Sequence, residues 1–381
     1  MADEQGNGGA AGPHNFFNQF VARYQEMGGR LLTQTRGTHL IVDDQGTVVG
    51  LQCVGADGET INIAAKAAIL ATGGFQSDPE LKARYLGVDG HQVSCMGTPY
   101  NTGAGMKMAQ EVGASLQGAF SQWAGAFVAA EPAKNPAEDV EVYEANDYTT
   151  EEGGKFWLYE CMIDTIDGRV IWVNSDGERF VDENLPGNSS KPAVGRQRRA
   201  AAIIVCDAPV WEEWMATPAA SLADTIADQM AIVTSDAVGG AYFQADTIEE
   251  LADQLNAAGP ATYMVHKGNL VKTIAEYNAA AEAGAGADLF PPKTGDGRCV
   301  PIATPPFYAF PVQAAPYATF GGVAIDENAQ VLDLIRKPIA GLYATVPCAG
   351  GVFYEFYTGA IASAGITGRM AADAATRAIR G

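Results

Sequence analysis

The residues of this chain best placed for chemistry are small ones at the ends of apolar runs. In Ala68-Ile69-Leu70-Ala71-Thr72-Gly73-Gly74-Phe75 an apolar stretch ends in Ala-Thr-Gly-Gly, which reads as a buried strand entering a tight turn. Gly73 and Gly74 carry no Cβ, so a ligand can lie close to the main chain there. A second segment of the same kind, Gly341-Leu342-Tyr343-Ala344-Thr345, is followed by Gly350-Gly351 and a helix of small residues. The 6 cysteines (Cys53, Cys95, Cys161, Cys206, Cys299 and Cys348) are scattered without a Cys-x-x-Cys pair, and the 4 histidines are isolated. No metal site or disulfide framework is therefore expected, and buried free thiols in a reducing compartment are. Cys348 stands apart because it falls just after the second segment.

The elements that must position these turns are legible as patterns. Pro13 to Met27 place Phe16, Phe17, Phe20, Val21 and Tyr24 on one side of a helix that Gly28-Gly29 ends. Thr38 to Val42 and Val48 to Val54 alternate as strands about Asp43-Asp44-Gln45-Gly46, and a third strand runs from Gly58 to Ile63. Beyond Gln117 the character changes. Trp123, Phe127, Trp157, Tyr159, Trp172, Trp211 and Trp214 fall in this central region, with long polar loops such as Glu131 to Glu152, as an inserted substrate-capping domain would read. Thr247 is expected to cap a helix with Glu250 at the capping-box position, and a second helix runs from Gly268 through Tyr277. Phe290-Pro291-Pro292 and the prolines from Pro301 to Pro306 make a stiff return. Gly321 to Ile325 and Gln330 to Leu332 then suggest a hairpin, Gly341 to Thr345 a buried strand, and Gly359 to Ala375 a helix.

Six ordered segments resemble the flavoprotein family of soluble fumarate reductases and 3-ketosteroid dehydrogenases. They are Ala71-Thr72-Gly73-Gly74-Phe75; Asn101-Thr102-Gly103-Ala104-Gly105-Met106-Lys107-Met108-Ala109; Gly177-Glu178-Arg179-Phe180-Val181-Asp182-Glu183; Pro305-Pro306-Phe307-Tyr308-Ala309; Gly321-Gly322-Val323-Ala324-Ile325-Asp326; and the Gly341 segment. The resemblance implies an α/β plus α+β fold. Residues 1–116 and 305–381 would form an FAD-binding domain of the glutathione-reductase type, and 117–304 the inserted substrate-capping domain. Members of the family begin with a βαβ unit whose Gly-x-Gly-x-x-Gly turn cradles the flavin pyrophosphate. No such motif precedes Ala71, and Gly8-Gly9-Ala10-Ala11-Gly12 follows no apolar strand and reads as a flexible tail. The FAD-binding domain is thus expected to be incomplete, either because a second chain supplies the βαβ unit or because the sequence is a fragment.

By the same resemblance FAD would be held by Ala71, Thr72, Gly73, Gly74, Asn101, Thr102, Gly103, Gly105, Gly322, Thr345, Ala360 and Ile361. The last two open a helix whose first amides would face the flavin pyrimidine edge. After Gly341-Leu342-Tyr343-Ala344 the family continues Ala-Gly-Glu or Ala-Gly-Asn. Here Thr345-Val346-Pro347-Cys348 follows, so Pro347 replaces the side chain that contacts the ribityl region. The fumarate reductase branch clamps two carboxylates with histidines and arginines. This chain reads Tyr317-Ala318-Thr319-Phe320 and Phe353-Tyr354-Glu355-Phe356-Tyr357-Thr358-Gly359 at those places, and Asn184-Leu185-Pro186-Gly187-Asn188 where the proton-donating arginine would stand. Desolvating two carboxylates without those cations is too costly, so fumarate is rejected as substrate.

The ketosteroid dehydrogenase branch has a tyrosine followed closely by glycine that polarises a substrate ketone, and Tyr357-Thr358-Gly359 matches it. Tyr357 is the first candidate to hydrogen-bond a substrate carbonyl and stabilise enolate charge, with Tyr354 and Tyr317 as companions. The alternative is that Tyr357 packs beneath the flavin. Tyr308 is expected to be structural, and Glu355 a solvated or capping carboxylate.

A formal charge of −21 excludes a nucleic-acid partner, and Arg196-Gln197-Arg198-Arg199 reads as a loop or domain edge. There is no apolar run of about 18 residues, hence no membrane span. The start, Met1-Ala2-Asp3-Glu4-Gln5, resembles no secretory signal, so a cytoplasmic location is expected. The expected function is FAD-dependent oxidation or reduction of a carbon–carbon bond next to a carbonyl or aromatic group, on an apolar or aromatic small molecule, in a split enzyme. Two alternatives stay open: another two-electron oxidation, at a hydroxyl or amine carbon, and a flavin-free binding or scaffold subunit.

Overall fold

The computed structural model describes residues 13–95, 98–130, 168–185, 187–219, 224–235, 239–295, 297–355, 357 and 359–381. The glycine-rich start, the polar loop 131–152, Trp157, Tyr159, Cys161, Pro186, Phe356 and Thr358 lie outside the described residues.

Helix α1 (Pro13–Glu26) leads into an antiparallel meander of β1 (Arg36–Val42), β2 (Val48–Val54) and β3 (Thr60–Ala64). The Asp43 side chain makes the first turn, accepting from the Gln45 and Thr47 amides at 2.9 Å each. The α1 side chains Phe17, Phe20 and Tyr24 are exposed. Strand β4 (Ala68–Leu70) then enters the glycine turn, followed by α2 (Pro79–Tyr85), capped by Asp78, and α3 (Ala104–Glu111). Near the other end of the chain, β12 (Gln330–Leu332) pairs antiparallel with β13 (Pro338–Ala344), and β13 pairs parallel with β4. Helix α9 (Ala360–Arg380) packs its alanine face, Ala371, Ala374 and Ala375, on Tyr343. The expected hairpin forms about Asp326: Leu332 N donates to Ala324 O at 2.9 Å and Asp326 N to Gln330 O at 3.0 Å. Strand β11 (Gly322–Val323) itself pairs with β5 (Leu116–Gln117), and the chain just after it meets β12 at the antiparallel bridge Ile325–Val331.

The central sheet is ordered β6 (Trp123–Ala129), β10 (Phe307–Thr319), β8 (Ala201–Asp207), β7 (Ile171–Val173), with β9 (Phe243–Ala245) also on β10. Every residue of β8 is buried because both faces of the sheet are covered. Ala202, Ile204 and Cys206 face the core shared with α4 (Gly187–Gly195), α5 (Ala208–Met215) and α6 (Ile226–Val233). Ile203 and Val205 face α7 (Ile248–Ala257) and α8 (Lys267–Glu282). A strand buried on both sides has no alternation to display. By sequence 305–381 groups with the flavin-binding unit, yet β10 pairs with β6, β8 and β9, all within 117–304. Thr247 caps α7 as expected, accepting from Glu250 N at 3.2 Å.

The described tryptophans are core residues. Trp123, Trp172, Trp211 and Trp214 are all buried, and Trp211 stacks on Tyr308 at 4.3 Å, which gives Tyr308 its structural role. Among the described residues no helix is long and apolar enough to cross a membrane.

Candidate functional site

The site begins with the parallel pair. The register Leu342–Ala68, Tyr343–Ile69, Ala344–Leu70 brings the carboxyl ends of β13 and β4 together, and Thr345 N donates to Leu70 O at 2.9 Å. Ala71–Gly74 and Thr345–Cys348 therefore leave the same end of the sheet side by side, where open α/β sheets hold their ligands. Gly73 has φ +76°, and a Cβ there would collide with the Asn101 side-chain oxygen, so only glycine fits. Two bonds join this turn to the segment that opens α3: Gly103 N donates to Gly74 O, and Ser77 N to Asn101 O, each at 3.0 Å.

Helices α3 and α9 start alike. Gly103 (φ +66°) and Gly359 (φ +60°) are left-handed N-caps, and among the described residues no side chain caps the first amides of either helix. Such ends carry partial positive charge and free donors. Ala360 and Ile361 open α9, with Ile361 exposed. Beneath this end of the sheet the Thr72 hydroxyl is buried and, among the described residues, has no hydrogen-bond partner beyond the weak Cys348 thiol next to it. Thr72 Oγ1 and the Cys348 thiol both crowd Gly105, the thiol lying 3.1 Å from where a Cβ would stand. Burial raises the Cys348 thiol, and neighbouring Thr72 offsets this only in part, so the thiol is held neutral. Gly322 is different. A Cβ there would meet the Cys348 carbonyl and, at 2.7 Å, Gly350 N, so its glycine serves backbone packing.

These features fit a flavin dinucleotide. The orphaned Thr72 hydroxyl, the bare main chain at Gly73 and Gly74, and two uncapped helix starts offer one hydroxyl and several amides to a large anionic, oxygen-rich ligand. Pro347 contributes no side-chain polar group where it follows Val346.

Next to this crevice lies an aromatic cluster. Tyr317 meets Tyr357 edge-on at 5.4 Å, Phe353 lies 5.6 Å from Tyr357, and Phe320 lies 5.7 Å from Phe353. Val346, one residue past Thr345, belongs to the same packed group, which joins crevice and cluster. The structure thus brings Tyr317 and Tyr357 together, while Tyr354 is 58% exposed and is not part of the packed cluster. Burial raises the Tyr357 phenol, which keeps it a donor at neutral pH.

Gln76 escaped the sequence patterns. It is fully buried, and its Nε2 donates to Tyr317 O at 2.7 Å. Thr319, beside it, accepts from Phe75 N at 3.1 Å. The one available signal was position, two residues past Gly73-Gly74. Arg179, in a segment that matched the family, is committed elsewhere. It donates to Glu183 at 2.8 and 2.7 Å and to Pro291 O at 2.8 Å, and Lys293 donates to the same carboxylate at 3.0 Å. Burial opposes the Arg179 charge and Glu183 more than restores it, so this guanidinium is locked as a cation inside the fold.

Comparison with known proteins gives the same setting. The family described as FAD binding domain matches residues 1–367. The NADH:acrylate oxidoreductase of Vibrio harveyi is 29% identical over 88% of this chain and 29% of its own length. The probable fumarate reductase Ifc3 of Shewanella frigidimarina is 27% identical over 94% of this chain and 52% of its own. The chain thus spans about half or less of these curated relatives. Among solved structures, 3-ketosteroid delta1-dehydrogenase from Sterolibacterium denitrificans superposes with TM-score 0.65 at 21% identity, covering 94% of this chain and 62% of that one, a likeness of fold.

Proposed function

Because this chain belongs to the FAD binding domain family, with FAD as its cofactor, we propose that it is the substrate-bearing part of an FAD-dependent oxidoreductase. The bond acted on is a CH–CH or C=C bond next to a carbonyl or aromatic group of a steroid- or enone-like molecule, not fumarate. The observation that carries this is the cluster of neutral rings, Tyr317, Phe320, Phe353 and Tyr357, packed directly against the end of the β4–β13 pair. The names of the relatives support the bond type: acrylate and fumarate each have a C=C bond conjugated to a carboxyl group, and a ketosteroid a ketone.

FAD, when bound, supplies the two-electron, hydride-level chemistry. The residues of this chain supply the rest. Ala71–Gly74, Asn101–Gly103, Gly105, Thr345 and the α9 start at Ala360 and Ile361 hold the cofactor. Gly322, which meets it only by supporting Cys348–Gly350, belongs to that scaffold. The Tyr357 hydroxyl donates to the substrate carbonyl and stabilises negative charge there, and the Tyr317, Phe320 and Phe353 rings exclude water. Tyr354, exposed, meets substrate from the solvent side. The two-unit division, 1–116 with 305–381 and 117–304, is part of the same proposal, with β10 shared between the units. So is a cytoplasmic location, which suits the free thiols Cys53, Cys95, Cys206, Cys299 and Cys348.

The cofactor site is completed by a second chain carrying the Gly-x-Gly-x-x-Gly unit. Two features support this. Strand β4 is the edge of a parallel pair, an arrangement normally covered on both faces, and Ile69 on β4 and Ile361 and Ile366 on α9 are exposed. A flavin-free scaffold subunit is the second reading, favoured by Pro347 alone. The test is the visible spectrum of the purified chain, alone and co-expressed with a Gly-x-Gly-x-x-Gly unit. A flavin band only in the co-expressed sample supports the split enzyme. A band in the chain alone refutes the need for a partner, and no band in either moves the assignment to the scaffold.

A further inference from the structure

Gln76 is held in one orientation. Its Nε2 donates to the Tyr317 carbonyl at 2.7 Å, and a carbonyl can only accept, so the amide cannot be flipped without setting two oxygens against each other. The other end, Oε1, is then forced to be an acceptor. It is buried and has no hydrogen-bond partner among the described residues. It lies against Gly74, 2.7 Å from the position a Cβ would take there, a position that Thr319 Oγ1 crowds as well, so only glycine at 74 leaves room for both oxygens. Thr319, at the end of β10, brings its Oγ1 to the same glycine and accepts there from Phe75 N. The residue is therefore tied at one end to the aromatic cluster and opens at the other onto the glycine turn.

A buried acceptor left unsatisfied is costly, and burial of one in so ordered a setting asks for a donor. We propose that Gln76 is a fixed acceptor for an N–H or O–H group of the small molecule held between Gly74 and Tyr317. This rests on the reading of the cluster as the substrate side of a flavin site. Two sources carry such a donor: the flavin, through its ring or ribityl groups, and a substrate bearing a hydroxyl or N–H. In either case Gln76 orients the molecule and does not take part in bond making.

The experiment uses the flavin-loaded, co-expressed protein, wild type and Gln76→Leu, with two probe ketones, 4-hydroxybenzylideneacetone and 4-methoxybenzylideneacetone. FAD dissociation is followed by flavin fluorescence and ketone binding by perturbation of the flavin spectrum. If the substrate supplies the donor, the wild type binds the hydroxy ketone about tenfold tighter than the methoxy ketone, and Gln76→Leu erases that preference. Unchanged affinity of the variant for the methoxy ketone shows that it is folded. If the flavin supplies the donor, Gln76→Leu releases FAD about tenfold more readily and treats both ketones as the wild type does. Unchanged FAD retention together with no hydroxy preference in the wild type overturns the proposal while leaving the flavin site standing. Failure of the wild type to bind flavin or either ketone overturns the proposal and the functional reading together.

Discussion

Thr72→Val is the substitution whose effects should run in opposite directions with and without cofactor. Threonine and valine have nearly the same shape, so the change removes a hydroxyl and little else. In the fold without ligand that hydroxyl is buried, and among the described residues its one neighbour able to hydrogen-bond is the Cys348 thiol, a weak group, beside it at Gly105. Leaving a buried polar group unsatisfied costs about 1–3 kcal/mol. Valine relieves that penalty, and the flavin-free chain should become more stable by about 1 kcal/mol. If FAD supplies the missing partner, the same substitution removes a hydrogen bond from the complex, and affinity should fall about tenfold, which corresponds to about 1.4 kcal/mol. The assay pairs urea unfolding of the flavin-free chain with FAD titration of the co-expressed protein. A variant that is less stable without flavin and binds FAD as well as wild type would falsify the placement, because the hydroxyl would then be satisfied by the protein itself.

The remaining expectations concern charge and the phenol. Tyr357→Phe should leave FAD binding intact and lower turnover on an enone at least about tenfold, as loss of one oxyanion donor does; unchanged turnover makes the ring a packing residue. Because burial raises the Tyr357 phenol above its ordinary value of about 10, the donor form survives through that pH. A basic limb of activity below about pH 9 that disappears in Tyr357→Phe contradicts the raised phenol. Glu183→Gln leaves Arg179 and Lys293, both almost fully buried, without the carboxylate they share, and should destabilise the protein by about 3–5 kcal/mol in urea unfolding. A loss under about 1 kcal/mol means the two cations find other partners.

Local chemistry in the chain determined much of this protein. The glycine turns at Gly73-Gly74 and Gly103 are legible because a left-handed backbone admits little else, and the β1–β2 turn because Asp43 bonds its own neighbours. The Thr247 cap is legible for the same reason: donor and acceptor lie three residues apart. The FAD family was readable from ordered motifs, each a few residues long.

Tertiary structure alone decided the rest. Strand β10 joins β6, β8 and β9 because a sheet covered on both faces must bury its longest apolar strand at the centre, and no local signal says which partners will flank it. The described tryptophans of the central region, Trp123, Trp172, Trp211 and Trp214, fill its core, since large apolar surface is stabilised most where water is fully excluded. Tyr357 ranks ahead of Tyr354 in sequence by the glycine two residues on, but that one ring packs on Tyr317 while the other is exposed is decided in the fold. Gln76 acquires its direction from a carbonyl 241 residues away, a contact that exists only once both ends of the chain have met.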